Sequence, residues 1–167
     1  MHYNGDAMRL SCVFLLPVFA AAALAADPYS GPRPPKPDLP YLVHADNLVA
    51  TEVSEATQEA KKDDTTYAIP GAASTARTPV PEPIFLLQSE KILPDKLELY
   101  KLDVKNGRRE LTMTNKGKKR SGPRALHVTV TRVEGNLYRV EAAEFLEDGQ
   151  YSLSPSDSNK VFCFEVY

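Results

Sequence analysis

Leu97-Glu98-Leu99-Tyr100-Lys101-Leu102-Asp103-Val104-Lys105-Asn106-Gly107-Arg108-Arg109-Glu110-Leu111-Thr112-Met113 is the stretch that decides the fold. Strand side chains alternate between two faces, so Leu97 and Leu99, then Tyr100, Leu102 and Val104, carry a period of two, not a helical period. The single slip, between Leu99 and Tyr100, is the trace that a β-bulge leaves. Asn106-Gly107 supplies the two residues of a tight hairpin turn, where both positions favour a positive φ. Leu111 and Met113 resume the alternation. The whole segment is predicted as a hairpin.

The same chemistry extends to both sides. Residues 125–133 set Leu126, Val128 and Val130 against His127, Thr129 and Thr131, and Gly135-Asn136 turns the chain into residues 137–145. Two short strands, 150–154 and 160–167, close the chain. Upstream, 84–88 is apolar without alternation, which predicts a strand buried on both faces. Residues 41–53 are rich in β-branched and aliphatic side chains, broken near Asp46-Asn47, and 65–69 reads as a short strand ended by Pro70-Gly71. Residues 54–64 are polar on every side, so they read as a long hairpin connection or a short exposed helix. Residues 71–83 are small, polar and Pro-punctuated, as in a surface loop. Eight to ten short antiparallel strands at this spacing predict an all-β sandwich over 41–167.

Near the end, Glu147-Asp148-Gly149-Gln150-Tyr151-Ser152-Leu153 resembles the tyrosine corner of immunoglobulin-like sandwiches. Tyr151 stands at the corner with its hydroxyl returned to the backbone, Gly149 opens the strand, and Leu153 falls where antibody domains place a disulfide cysteine. With Val161-Phe162-Cys163-Phe164, this ending is also similar to that of exported bacterial proteins of unknown function, many with Gly-Glu-Tyr where this chain has Gly-Gln-Tyr. The resemblance covers mainly the last twenty or so residues. It implies an immunoglobulin-like fold and no particular activity.

The N-terminal region places the protein outside the cytoplasm. Arg9 precedes an uncharged run that closes on Ala23-Leu24-Ala25, the pattern that a signal peptidase reads. That run, residues 10–26, is shorter than the roughly 20 apolar residues of a spanning helix, so cleavage after residue 25 is expected and stable membrane insertion is not. Met8 is better placed than Met1 as the start of such a leader. Residues 26–40 follow with prolines at 28, 32, 34, 35, 37 and 40, and read as an extended linker rather than packed structure.

Cleavage removes Cys12 and leaves Cys163 alone, which excludes an internal disulfide framework. Cys163 reads as a partly covered, inert thiol, with a bridge to a second chain as the alternative. The net charge of −2 favours neither nucleic acid nor a broadly cationic, membrane-seeking surface. One local feature stands above that balance. Lys116, Lys118, Lys119 and Arg120 crowd a stretch flanked by Gly117, Gly122 and Pro123, read as an irregular exposed loop that attracts anionic polymers or simply solvates a hairpin. Lys105, Arg108 and Arg109 form a second basic tip at the opposite end.

Catalytic chemistry finds no constellation. His44 and His127 stand without a nucleophile motif or metal-ligand spacing and read as ordinary surface or rim histidines. Adjacent carboxylates such as Asp63-Asp64 and Glu147-Asp148 alternate to opposite sides of an extended chain. Asp157-Ser158-Asn159 reads as a turn. No cofactor and no metal are expected. The sequence supports a secreted or periplasmic, non-catalytic module that binds a protein or envelope partner. A glycan-binding module is the alternative, disfavoured by the absence of Trp and by tyrosines scattered along the chain.

Overall fold

The computed structural model describes Met1 and residues 28–116, 119–156 and 158–167. The leader assigned to residues 1–25 rests on a run outside this set, as do Gly117, Lys118 and Asp157. Fourteen strands are present among the described residues. The first seven are β1 (Tyr41–His44), β2 (Asn47–Ala50), β3 (Glu52–Glu55), β4 (Thr57–Lys61), β5 (Asp64–Pro70), β6 (Arg77–Thr78) and β7 (Ile84–Gln88). After a 3-10 turn at Pro94–Lys96 come β8 (Leu97–Lys105), β9 (Arg108–Lys116), β10 (Lys119–Ser121), β11 (Val128–Glu134), β12 (Leu137–Ala142), β13 (Gly149–Pro155) and β14 (Lys160–Val166).

These strands build two sheets. A five-stranded sheet runs β11-β12-β7-β1-β2, and a nine-stranded sheet runs β3-β14-β13-β8-β9-β5-β4, with β10 on β9 and β6 on β14. Every ladder is antiparallel except the two-residue β6–β14 pairing. The fold is therefore all-β and antiparallel, as the sequence predicts.

The sheets face each other over a shared core. Phe162, Phe164 and Val166 of β14, with Tyr151 and Leu153 of β13, pack against Leu42, Phe85, Leu87 and Val140 of the five-stranded sheet. Phe164 meets Phe85 edge-on at 5.1 Å between ring centroids and stacks on Tyr151 at 5.5 Å, geometries that aromatic quadrupoles favour. Phe85, Phe162 and Phe164 have no exposed surface, and burying each contributes about 2 kcal/mol.

The opposite face of the same strands is buried too. Val161, Cys163 and Leu102 join Ala56, Ile69, Leu111 and Met113 in a second cluster. The nine-stranded sheet achieves this by rolling, so that β9, β5 and β4 lie over the outer face of β13 and β14. Its edge strands β3 and β4 are consecutive in the chain, separated only by Ala56, so the backbone itself joins the two edges.

Rolling explains the slip at Leu99-Tyr100. No bulge interrupts β8: its register on β13 runs unbroken from Leu97↔Pro155 to Leu102↔Gln150. Leu97 and Leu99 point into the first core, whereas Leu102 and Tyr100 point into the second. The strand exchanges one apolar face for the other without changing its pleat. Asn106 and Gly107 turn the chain with φ of 53° and 75°, the two left-handed residues that the hairpin requires.

Three other readings are corrected. Residues 54–64 are neither a helix nor a mere connection: β4 runs through them, exposed at every position and paired only to β5. Its polarity is that of an edge strand, which must stay soluble on its open side. Residues 71–83 hold β6 and bury Ser74, Ala76 and Thr78. The Pro-rich segment is not free of packed structure, since Pro34 and Pro40 are buried and Leu39 packs on the first core. Asp38, at φ 54°, accepts the backbone N–H groups of Glu90, Lys91 and Ile92 at 2.9–3.0 Å. The Pro40 carbonyl accepts both the N–H and the hydroxyl of buried Thr51.

Candidate functional site

The hairpin that opens the fold also opens a cavity. β8 and β9 pair only over Asp103–Lys105 and Arg108–Glu110. Beyond those rungs β8 stays on β13 and β9 stays on β5, so the strands diverge. The segment that follows β10 helps to keep them apart. Gly122 lies so close to Met113 that a Cβ there would meet the Met113 Cα at 3.2 Å, and the Leu126 N–H donates to the Leu99 carbonyl at 2.8 Å. A cavity of about 310 Å³ occupies the opened interior.

Strand parity sorts its lining. The inward positions of four strands supply the floor: Ile69, Leu102, Leu111, Met113 and Val161. Polar groups form the wall and rim, among them Gln58, Tyr67, Tyr100, Ser152, Ser154 and Asn159. Glu98 is the one formally charged residue among the described residues of that lining, and it accepts the Tyr100 hydroxyl at 3.0 Å.

Toward the hairpin turn, the same inward face is closed by a buried ion pair. Arg109 is 1% exposed. Its Nε donates to the Gly71 carbonyl at 3.0 Å, and its Nη2 donates to the Pro70 carbonyl at 2.7 Å and to Glu52 Oε1 at 2.5 Å. The other Glu52 oxygen accepts the Thr75 N–H at 2.7 Å. Burial pushes the Glu52 carboxyl up, but the hydrogen bonds from Arg109 and Thr75 prevail and hold it below the usual carboxylate range. Cys163 is fully buried within the second cluster, and burial pushes its thiol up to about 12 despite nearby Arg109.

The residues singled out in the sequence lie elsewhere. The Tyr151 hydroxyl donates to the Glu147 carbonyl at 2.7 Å, closing the corner. Gly149 has φ 154°, and a Cβ there would stand 3.2 Å from the Lys101 side chain. Cys163 is not partly covered but sealed, so a bridge to a second chain would require the rolled sheet to open. The basic stretch is not an irregular loop in its described part: Lys116 ends β9, and Lys119 and Arg120 lie in β10, with Lys116↔Lys119 and Asn115↔Arg120 as ladder partners. Lys118 lies outside the described residues.

The other basic tip is internally neutralised. Arg108 donates to both Glu59 oxygens, at 2.7 and 3.0 Å, and to Glu110 at 2.5 Å, while Arg109 is the buried partner of Glu52. His44 and His127 do not line the cavity. The Glu144 carboxylate, which accepts the backbone N–H of His127 and pairs with Arg124, is held below its usual range by those two contacts.

Sequence reading missed the site because Tyr67 and Tyr100 are far apart in the chain. The signal was present in Tyr100, whose parity break from Leu99 marks the face that turns toward the cavity.

Comparison with known proteins adds no relative: no protein-family model, no curated protein and no solved structure matches the chain.

Proposed function

We propose that this chain is a secreted or periplasmic, non-catalytic binding module, an immunoglobulin-like sandwich that holds a protein or envelope component at the cavity between β8 and β9. The observation that carries the reading is the cavity's lining, an apolar floor under a wall of uncharged hydrogen-bonding groups, with Glu98 as the one formal charge among its described residues. Such a surface suits binding and orienting a ligand. The leader pattern supports export, and the Tyr151–Glu147 corner supports the immunoglobulin-like assignment.

Immobilised protein is to be exposed to the envelope fraction of its own host beside two cavity-filled variants, Gln58→Trp and Ser154→Phe. Gln58 is exposed and Ser154 half-buried, so both tolerate a larger side chain. Retention by the parent protein and its loss from both variants is the expected result. Equal retention by all three places the binding surface elsewhere and ends the cavity reading.

A second reading, anion binding by the β9–β10 hairpin, is favoured by one observation. Lys116 and Lys119 are backbone ladder partners, so the register sets two lysine positions opposite each other at the hairpin end.

A further inference from the structure

We infer that the cavity takes a neutral sugar ring, a hexopyranose unit either free or terminal on a glycan. The inference rests on the cavity being the binding site and names the chemistry that fits it. A pyranose has an apolar C–H face and a rim of hydroxyls. The cavity offers the complement, with Leu102, Leu111 and Met113 below and the amide, hydroxyl and phenol groups of Gln58, Asn159, Ser154, Tyr67 and Tyr100 around. A volume of about 310 Å³ falls in the range of small-ligand pockets, so the cavity engages its protein or envelope component through one small unit.

Charge narrows the choice. Among the described residues of the lining, the single formal charge is the Glu98 carboxylate, so uronates, sialylated ends and phosphates meet repulsion there. A carboxylate that already accepts one phenol still has lone pairs for sugar hydroxyls.

At Leu99, backbone geometry disfavours an extended peptide. A strand-like ligand needs an open edge to pair with, and the edge of β8 that faces away from β13 is already used at Leu99 by Leu126. Tyr67 and Tyr100 are half-buried, each packing its ring against the second core, an arrangement that suits contact with a sugar's C–H face at little entropic cost.

The test is ligand-observed NMR and calorimetry on the purified protein with glucose, galactose, mannose and N-acetylglucosamine. Glucuronic acid serves as the anionic counterpart, and the same sugars serve as competitors in the envelope-retention assay. At least one neutral sugar is expected to bind, to lose about tenfold or more in affinity on Tyr100→Ala or Gln58→Trp, and to exceed glucuronic acid. Gln58→Trp guards against misfolding of the tyrosine variant, because it changes an exposed position. Absence of binding by all four sugars overturns the inference, as does equal binding of glucuronic acid or indifference to Gln58→Trp. Should envelope retention still depend on the cavity while no sugar binds or competes, only the sugar assignment falls. Should retention ignore cavity filling, the site itself falls.

Discussion

Tyr151 holds its corner by two unlike interactions. Its ring stacks on Phe164 in the first core, while its hydroxyl donates to the Glu147 carbonyl at 2.7 Å. Tyr151→Phe keeps the ring and deletes the hydrogen bond, so it is expected to lower stability by about 1 kcal/mol, read as a shift in the urea midpoint at unchanged slope. No shift would mean that the hydroxyl contributes nothing to the corner. Cys163 illustrates the opposite case, a reactive group silenced by its surroundings. The thiolate is the reacting species, and burial that pushes the thiol up to about 12 leaves little of it at neutral pH. Native protein at pH 8 is expected to resist a thiol reagent and to react fully once unfolded in urea. Fast labelling of the native protein, or a reducible dimer on a gel, would show that the sheet around β14 opens.

The β9–β10 hairpin brings Lys116 and Lys119 together as ladder partners, and its sequence adds Lys118 and Arg120. Attraction through exposed charges is screened beyond about 8 Å at physiological ionic strength, so any anion binding here weakens as salt rises. Binding to anionic glycans and anionic vesicles, at low and moderate salt, is to be compared with a Lys118→Ser, Lys119→Ser, Arg120→Ser variant. A salt-sensitive loss in the variant is the expected outcome if the hairpin is a site, and equal binding by both proteins leaves it a solvated edge. At this scale the sequence was most legible where one apolar face met one polar face. The 125–133 alternation was readable on that basis, the Asn106-Gly107 hairpin from its turn residues, and the 84–88 strand from its unbroken apolar run. It was least legible where local pattern is decided by distant chain. The polar β4 is an edge strand only because β5 pairs with it, and the apparent bulge at Leu99-Tyr100 is a change of core. The cavity was invisible for the same reason, since its lining comes from β4, β5, β8, β9, β13 and β14, which only the roll of the sheet gathers.

The two cores are not separate bodies, because β8 and β14 contribute one face to each. The N-terminal segment is tied to the same body through Asp38 and Pro40, and the roll is tied through Glu52 and Arg109. Loss of these ties is therefore expected to be felt by the whole molecule as one transition. Both ties depend on ionised carboxylates. Burial pushes Asp38 up, yet the N–H donors of Ile92, Lys91 and Glu90 hold it below its ordinary value of 3.8, as Arg109 holds Glu52 below 4.5. The sign follows from linkage: a carboxyl depressed in the folded state adds stability above its unfolded value and loses it as pH falls through the folded value. Stability attributable to Asp38 and Glu52 is therefore fully present at pH 7 and declines below about pH 4. Urea midpoints at pH 7, 5 and 3 are expected to fall mainly between the last two. Asp38→Asn removes one of the titrating groups but keeps a side-chain oxygen for the three N–H donors, so it is expected to be less stable than the parent at pH 7 and to lose less between pH 5 and 3. A chain beginning at Tyr41 lacks Asp38, Leu39 and Pro40 altogether and is expected to melt lower at every pH. Parallel pH profiles for parent and Asp38→Asn, with no penalty for the shortened chain, would show that the Pro-rich segment only rests on the fold.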